Sequence, residues 1–205
     1  MRVMAYFFKA LQILRPNDLV QASSNSTTRF IITGHSLGGA LASLFSLYMK
    51  DQLKWDNPRI SLITFGQPRV GDSNYASAHD KFISPNQKLR LVYRYDIIPH
   101  LPSSDITRYR HHSREVWIFK THVKKLSWKE LIWRWETYLY FCSEREARGC
   151  SKDINKTNIL NAVKKVMHHA SKYYRNTFKK MPHRVYDVSR IKRSSFEDAQ
   201  CRSRK

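Results

Sequence analysis

The chain alternates short apolar runs with segments of helical periodicity. Residues 29–33, 60–65 and 89–94 are rich in β-branched and other apolar residues, and each run predicts a buried strand. Residues 37–50 carry apolar side chains at helical spacing, and residues 75–82 predict a short helix. This order implies right-handed crossovers and a mostly parallel sheet flanked by helices. The predicted fold class is therefore α/β, with chemistry at the carboxyl ends of the strands.

Further elements are predicted on both sides of this central region. Residues 4–14 predict an amphipathic helix, residues 17–28 a polar loop, and residues 115–119 a fourth strand. Residues 158–178 predict a late helix with loosely periodic apolar positions. Another helix, packed on the core or on a partner, is predicted from apolar residues that recur at helical spacing: Trp128, Leu131, Ile132, Trp135 and Leu139.

Basic residues are concentrated toward the end of the chain. The net charge is +21, and residues 1–117 carry 15 Lys and Arg against 8 Asp and Glu, whereas residues 118–205 carry 22 against 8. We therefore divide the chain into an α/β domain, residues 1–182, and a basic tail, residues 183–205. The charge indicates either a solvated surface or attraction to anionic lipid headgroups or nucleic acid. No recognised motif supports specific nucleic-acid binding, and no apolar run reaches the about 18 residues of a membrane span.

The three cysteines limit the metal and redox chemistry of the chain. Cys142, Cys150 and Cys201 form neither a CxxC pair nor a Cys/His zinc pattern, and we predict no metal site. Cys142 and Cys150 close a short loop, so a disulfide between them is geometrically easy. Cys201 is then left over.

A candidate nucleophile lies where the first buried strand meets the following helix. The sequence Gly34-His35-Ser36-Leu37-Gly38 matches the Gly-x-Ser-x-Gly pattern of a sharp strand-to-helix turn. Glycine at positions 34 and 38 is expected to remove clashes across this turn. The helix N-terminus favours negative charge, so we expect the backbone N–H of Leu37 to bind an oxyanion. The alternative interpretation is a glycine-rich turn with an ordinary serine.

An acid and a base are expected later in the chain, since this fold class orders its triad Ser, Asp or Glu, then His. Asp96 follows the third strand at the edge that carries the serine, and Asp105 is the second candidate. A helix cap or turn is the alternative role for Asp96. His100 is too close to Asp96 in sequence, whereas His168 and His169 lie late enough. A solvent-facing histidine pair on a helix is the alternative for the last two.

Four segments resemble the class 3 lipase family, the fungal-type triacylglycerol lipases. They are residues 33–42 (Thr-Gly-His-Ser-Leu-Gly-Gly-Ala-Leu-Ala), residues 64–72 (Thr-Phe-Gly-Gln-Pro-Arg-Val-Gly-Asp), residues 96–102 (Asp-Ile-Ile-Pro-His-Leu-Pro), and a fourth segment with Tyr-Arg-His at 109–111 and Glu-Val-Trp at 115–117. The resemblance covers about half of the chain. It implies an α/β-hydrolase fold that cleaves carboxylic esters of lipids without a metal or organic cofactor.

The resemblance also implies roles for individual residues. Ser36 is implied to be the nucleophile and Asp96 the orienting acid. The family's histidine lies in an Asp-His-x-x-Tyr stretch, and the nearest match runs from His168 to Tyr173, with the aspartate replaced and one residue added. We therefore predict that His169 is the base, with His168 as the second choice.

The resemblance extends to localisation and to the expected extent of the chain. Cys142 and Cys150 resemble a disulfide loop of secreted family members, which implies secretion. Family members usually have a long segment before the elbow that supplies a lid and a second oxyanion donor, and only a short stretch precedes Ser36 here. We therefore expect a chain truncated at its N-terminus, with Cys201 as a cysteine whose partner was lost. The alternative function is a catalytically silent lipase-like module that binds anionic membranes or partners.

Overall fold

A computed structural model describes most of the chain up to residue 179. The described residues are 1–14, 29–53, 60–126, 131–146, 150–154 and 166–179. The polar loop predicted at residues 17–28 lies outside this set, as do Cys201, the basic tail 183–205 and the boundary at residue 182.

One sheet organises the described residues. The strands are β1 Phe30–His35, β2 Ile60–Phe65, β3 Gly71–Asp72, β4 Lys88–Tyr93, β5 Tyr109–Arg110, β6 Glu115–Leu126 and β7 Leu131–Cys142. The main sheet has the order β1-β2-β4-β6-β7, in which the first four strands are parallel and β7 is antiparallel to β6. Strands β3 and β5 form a separate antiparallel pair. The prediction of a mostly parallel α/β sheet is confirmed.

Helices cover the sheet in the described part of the chain. They are α1 Ala5–Ile13, α2 Leu37–Leu53, α3 Ser73–Phe82, α4 Ser104–Thr107, α5 Ser151–Ile154 and α6 Ser171–Lys179, with short 3₁₀ helices at Pro85–Gln87 and Ile98–His100. None of the described helices combines the length and the apolar character that crossing a bilayer requires. The helices predicted at residues 4–14, 37–50 and 75–82 are confirmed, with shifted ends.

Apolar side chains pack on both faces of the sheet, as expected for parallel strands. One cluster joins the sheet to α2 and α3 and contains Ile32, Ala42, Met49, Ile60, Leu62 and Ile83. Another joins β4 and β6 to α6 and contains Leu91, Tyr93, Val116, Ile118 and Tyr174. A third holds α1 against α2 through Phe7, Leu11 and Leu44. The second cluster fixes α6 against the sheet close to the predicted chemistry.

Strand β7 contradicts the helix predicted from Trp128, Leu131, Ile132, Trp135 and Leu139, of which Trp128 lies outside the described residues. Residues Leu131–Cys142 instead pair with Glu115–Leu126 in one unbroken antiparallel register. The prediction of a helix is wrong because aromatic and β-branched residues also favour strands. Periodicity alone cannot distinguish a helix from a strand in a short apolar segment. The predicted fourth strand is therefore longer than residues 115–119.

The late helix predicted over residues 158–178 is interrupted. Residues 166–168 are helical, a turn covers His169 and Ala170, and α6 starts at Ser171. Across the turn, His169 N–H donates to the Val166 carbonyl and Tyr173 N–H donates to the Ala170 carbonyl. The prediction of one continuous helix is wrong here, and residues 158–165 lie outside the described part. The interruption places His169 in a turn at the edge of the sheet.

Candidate active site

Ser36 lies in the turn between β1 and α2. Its backbone has φ 56°, a left-handed conformation that is uncommon for a residue with a side chain. Ser36 N–H donates to the Phe65 carbonyl at 2.9 Å, and the N–H groups of Gly39 and Ala40 donate to the Ser36 carbonyl at 2.9 and 3.2 Å. These bonds from the neighbouring strand and the following helix hold the strained residue at the carboxyl edge of the sheet.

The two glycines that flank Ser36 differ in what surrounds them. A Cβ added at Gly34 would lie 2.2 Å from the Gly38 carbonyl oxygen, so the expected steric requirement is confirmed there. A Cβ added at Gly38 would meet nothing within 4 Å, so the same expectation is wrong for Gly38. The reason is that Gly38 lies in the first turn of α2 with open space beside its α-carbon.

Leu37 starts α2 directly after the serine. As the first residue of the helix, it has a backbone N–H without an intrahelical acceptor. No acidic residue occupies the first turn of α2, so the helix dipole there is not offset by a carboxylate. The turn therefore places an N–H donor with local positive charge one residue after Ser36.

Asp96 is fully buried at the carboxyl end of β4. Its backbone N–H donates to the Tyr93 carbonyl at 2.9 Å, which fixes the turn. Its Oδ1 accepts a hydrogen bond from Ile98 N–H at 3.0 Å, and its Oδ2 accepts one from the Tyr174 hydroxyl at 2.5 Å. Dedicated donors thus compensate the buried carboxylate, as a charge removed from water requires.

His169 contacts this carboxylate directly. Its Nδ1 lies 2.9 Å from Oδ2 and 3.1 Å from Oδ1 of Asp96, and the imidazole side chain is 16% exposed. Because a carboxylate accepts a proton donor at Nδ1, this contact favours the tautomer whose Nε2 carries a lone pair. The structure therefore brings together two of the three residues that the sequence singled out.

Gly66 makes this contact sterically feasible. It follows β2 with φ +59°, and a Cβ there would lie 2.9 Å from Asp96 Oδ2 and 2.9 Å from His169 Nδ1. Any side chain at this position would intrude on the contact between the acid and the imidazole. The apolar pattern of the sequence indicates only that a strand ends at Gly66. The feature that could have pointed to a role in the site is the position of Gly66 within the family-like segment 64–72.

His35 connects the serine turn to His169. Its ring stacks on the His169 ring with centroids 4.6 Å apart, and its Nε2 lies 2.7 Å from the His169 carbonyl oxygen. Because a carbonyl only accepts, this Nε2 carries the proton. Burial lowers the pKa of His35, which favours its neutral form. The residue before Ser36 thus holds the backbone of His169 beside the serine turn.

Tyr174 supports the same constellation from α6. Its hydroxyl donates to Asp96 and accepts a hydrogen bond from Tyr93 N–H at 3.1 Å. Burial and the negative charge of Asp96 raise the pKa of Tyr174 well above its usual range, so the hydroxyl keeps its proton. The stretch that resembles the family's motif ends at Tyr173, whereas the residue that reaches the carboxylate is Tyr174.

The other predicted candidates lie elsewhere. His168 is buried, and its ring packs near those of Tyr93, Tyr95 and Tyr173. Asp105 lies in the first turn of α4 and accepts a hydrogen bond from the Ser104 hydroxyl. Of the alternatives left open by the sequence, it is therefore His169 that contacts Asp96.

A buried ion pair holds the loop that follows Asp96. Arg69 Nε donates to Glu146 Oε1 at 2.6 Å, and its guanidinium also donates to the carbonyls of His100 and Pro102. Glu146 lies within the loop closed by the Cys142–Cys150 disulfide. The presence of this disulfide confirms the predicted pairing of the two cysteines. The disulfide loop is thus anchored to the loop that carries Asp96.

Two groups of potential metal ligands occur among the described residues, and one of them, Glu115 with Cys142 and Cys150, has its thiols joined in the disulfide. The other group lies away from this edge. His79, Asp80 and His112 bring ligand atoms together, but Lys88 lies among them, with its Nζ 2.5 Å from Asp80 Oδ1 and 3.4 Å from His79 Nδ1. The two imidazole rings stack with centroids 4.0 Å apart rather than converge on one point. The ammonium group of Lys88 therefore already supplies a cation to this cluster.

Sequence relatives are lipases. A lipase of Caenorhabditis elegans is 39% identical over 85 residues, which cover 42% of this chain and 24% of the relative. A secreted mono- and diacylglycerol lipase of Fusarium solani is 36% identical over 99 residues, covering 47% of this chain and 27% of the relative. The chain thus spans about a quarter of the length of these two relatives.

Solved structures with the same fold are lipases as well. The triacylglyceride lipase of Rhizomucor miehei superposes with a TM-score of 0.63 at 26% identity, covering 82% of this chain and 57% of the other. A triacylglycerol lipase whose catalytic centre is a serine protease triad superposes with a TM-score of 0.60 at 29% identity, covering 78% and 57%. The chain spans little more than half of either structure.

The sequence model of class 3 lipases matches residues 2–106, which is half of the chain and includes both the serine turn and Asp96. The solved lipases share its mostly parallel sheet, so the fold is that of an α/β-hydrolase. On these grounds the chain belongs to the class 3 lipase family.

Proposed function

We propose that this chain is a serine hydrolase that cleaves carboxylic esters of lipids through an acyl-enzyme, with Ser36, His169 and Asp96 as its triad. The observation that carries the proposal is the contact of His169 Nδ1 with the buried Asp96 carboxylate, beside the strained turn of Ser36. Burial and dedicated donors are what a catalytic carboxylate needs to orient an imidazole.

The proposed reaction uses only groups of this chain and water. Ser36 Oγ attacks the ester carbonyl while His169 Nε2 takes the hydroxyl proton, and the N–H of Leu37 donates to the developing oxyanion. His169 then gives its proton to the departing alcohol, which leaves an acyl group on Ser36. In the second half, water loses a proton to His169 and attacks the acyl carbonyl. The bond to Ser36 Oγ then breaks, and His169 returns the proton to Ser36 Oγ as the fatty acid is released.

The relatives support a lipid ester as the substrate. The Fusarium relative is a mono- and diacylglycerol lipase, and the Rhizomucor structure is a triacylglyceride lipase. We infer an acylglycerol substrate for this chain, and secretion as for the Fusarium protein. The Cys142–Cys150 disulfide supports secretion because such bonds persist in oxidising compartments.

Fluorophosphonate labelling tests the proposal directly. The wild-type chain is expected to form a covalent adduct at Ser36, because the reagent reacts with a serine hydroxyl activated by a neighbouring base. Ser36→Ala is expected to give no adduct. The measurement is the mass of the intact protein and of its peptide fragments after incubation with the probe.

Ser77→Ala is the matched control, because Ser77 is an exposed serine on α3. It is expected to label at the wild-type rate. Equal labelling of wild type and Ser36→Ala, or no labelling of either, would contradict the proposal. The second of these results would favour the catalytically silent lipase-like module.

Removing the Tyr174 hydroxyl is expected to slow ester hydrolysis without abolishing it. Tyr174→Phe deletes one donor to Asp96, and a hydrogen bond to a charged group contributes about 1.5–3 kcal/mol. Because the lost bond helps to hold the carboxylate that orients His169, kcat/KM is expected to fall about 10- to 100-fold. The measurement is hydrolysis of a soluble short-chain ester. Tyr173→Phe is the control, because Tyr173 stacks on Tyr93 instead, and equal losses in the two variants would contradict the assigned role.

A further inference from the structure

The loop after Asp96 supplies a backbone donor that orients the buried carboxylate. Ile98 N–H donates to Asp96 Oδ1 at 3.0 Å, and Ile98 also starts the short 3₁₀ helix that ends at His100. Leu101 N–H closes this turn by donating to the Ile98 carbonyl at 3.0 Å. A movement of the turn would therefore move the donor that holds Asp96.

The carbonyl groups of residues 99–102 all accept hydrogen bonds from Arg69 or His111. Arg69 contributes its backbone N–H, whose nitrogen lies 2.8 Å from the Leu101 oxygen, and its guanidinium, which donates to the carbonyls of the residues before and after Leu101. His111 Nε2 donates to the first carbonyl of the four at 2.6 Å. The positions of Arg69 and His111 therefore set the position of the turn.

Glu146 contacts both of these residues. Its Oε1 accepts a hydrogen bond from Arg69 Nε at 2.6 Å and another from the backbone N–H of His111 at 3.4 Å. The side chains of Arg69 and Glu146 are 3% and 5% exposed. Because the bond to Arg69 joins two charged groups and is shielded from water, it is stronger than a neutral or exposed one. Glu146 is thus the residue at which the two supports of the turn meet.

The backbone of Glu146 has an uncommon conformation. Its φ is 49°, in the left-handed region, which a residue with a side chain adopts only where its surroundings enforce it. The Cys142–Cys150 disulfide closes the loop that contains Glu146, and Lys152 Nζ lies 3.3 Å from its Oε2. Burial by itself would raise the pKa of Glu146, but the hydrogen bond and the charge of Arg69, with the charge of Lys152, lower it. The carboxylate therefore stays charged.

We propose that Glu146 is a positioning residue for the Asp96 carboxylate. It acts through Arg69 and His111, which hold the turn whose Ile98 N–H orients Asp96. Its effect on hydrolysis rests on the proposed ester hydrolase function, whereas its effect on the contact between Asp96 and His169 does not. Glu146 lies outside residues 2–106, which match the sequence model of the family, so this role follows from the folded structure alone.

Glu146→Ala is expected to lower kcat for a soluble short-chain ester about 10- to 100-fold. The substitution removes the acceptor that Arg69 and His111 share, and a small displacement of a catalytic group costs about this much in rate. Glu146→Gln keeps an accepting oxygen but loses the charge, so we expect it to lower kcat only about 3- to 10-fold. KM is expected to stay within about twofold in both variants, because the change affects the reaction rather than the binding of the ester.

Arg145→Ala is the matched control, because Arg145 is the neighbouring residue in the same disulfide loop. Its guanidinium donates to Asp80 at 2.5 Å and to the Ser77 hydroxyl at 3.0 Å, and both of these residues belong to α3. We expect its kcat to stay within about twofold of wild type, and thermal melting verifies the folding of each variant. Equal losses of kcat in Glu146→Ala and Arg145→Ala would overturn the proposal. Wild-type kcat in Glu146→Gln would overturn it as well, even if Glu146→Ala does not fold.

Proton NMR tests the contact between Asp96 and His169 without any substrate. The proton that His169 Nδ1 donates to the carboxylate is expected to resonate far downfield, because charge-assisted hydrogen bonds are short. The loss of this resonance in Asp96→Asn identifies it. Glu146→Ala is expected to weaken and broaden the resonance, whereas Arg145→Ala is expected to leave it unchanged. An unchanged resonance in a folded Glu146→Ala would overturn the proposal, because a purely structural residue lowers the melting temperature without disturbing this contact.

The two readouts distinguish this inference from the proposed function. If the wild type neither hydrolyses esters nor reacts with the fluorophosphonate, but the resonance responds to Glu146→Ala and not to Arg145→Ala, the positioning role stands and the hydrolase function fails. If hydrolysis is present and both variants keep the wild-type kcat and resonance, the hydrolase function stands and the positioning role fails.

Discussion

Asp96→Asn is expected to lower kcat for a soluble ester about 10⁴-fold in a chain that still folds. The carboxylate accepts hydrogen bonds from Ile98 N–H and the Tyr174 hydroxyl, and it contacts His169 Nδ1. An amide supplies only one accepting oxygen in its place, and its nitrogen only donates. The loss expected when a serine-hydrolase aspartate becomes asparagine is about 10⁴ in kcat, because the imidazole takes the wrong tautomer.

The choice of tautomer decides the size of this effect. The Ile98 N–H fixes the side-chain oxygen of residue 96 from one side, which turns the amide nitrogen of the substituted side chain toward His169 and Tyr174. His169 Nδ1 must then accept rather than donate, so the proton moves to Nε2. An Nε2 that already carries a proton cannot take one from Ser36. Mere loss of packing would not produce so large a decrease.

Asp105→Asn is the matched control for Asp96→Asn. It makes the same chemical change at an exposed position in the first turn of α4. We expect its kcat to stay within about twofold of wild type, because surface substitutions rarely disturb a structure. Thermal melting verifies folding, and steady-state hydrolysis gives kcat. A decrease of less than tenfold in Asp96→Asn would remove Asp96 from the proposed triad.

Features specified by local sequence could be predicted without the structure. The short apolar strands and the Gly-x-Ser-x-Gly turn located Ser36, and a carboxylate directly after a strand located Asp96. Both inferences need only the alternation of strand and helix, since the carboxyl ends of parallel strands share an edge. The preference for His169 over His168 came only from the family resemblance, because periodicity predicted a continuous helix where the structure has a turn at His169 and Ala170.

The contacts that residues make with partners distant in sequence could not be predicted from local pattern. The hydroxyl of Tyr174 reaches Asp96 across 78 positions, and the ring of His35 stacks on that of His169 across 134. The close approach at Gly66 depends on three segments that meet only in the folded chain. Strand β7 was missed because a long ribbon and an amphipathic helix use similar aromatic and aliphatic residues.

Gly34→Ala is expected to destabilise the fold by more than about 3 kcal/mol, the upper range for steric overpacking. Its Cβ would lie 2.2 Å from the Gly38 carbonyl oxygen and 2.7 Å from the Gly39 nitrogen, which belong to the backbone of α2. A backbone atom cannot rotate away as a flexible side chain can, so β1 and α2 must separate. Because that movement also displaces Ser36, fluorophosphonate labelling is expected to fall with stability.

Gly38→Ala, in the same turn, is expected to leave the stability of the fold unchanged or to raise it. Its Cβ would meet nothing within 4 Å, and alanine in a helix gains up to about 1 kcal/mol over glycine. For a chain of this size, 1 kcal/mol corresponds to roughly 2–4 °C in melting temperature. The Gly34→Ala melting temperature should therefore fall by about 6 °C or more, whereas that of Gly38→Ala should stay level or rise. Equal destabilisation by the two substitutions would mean that both glycines are needed for the turn, as the symmetric motif had suggested.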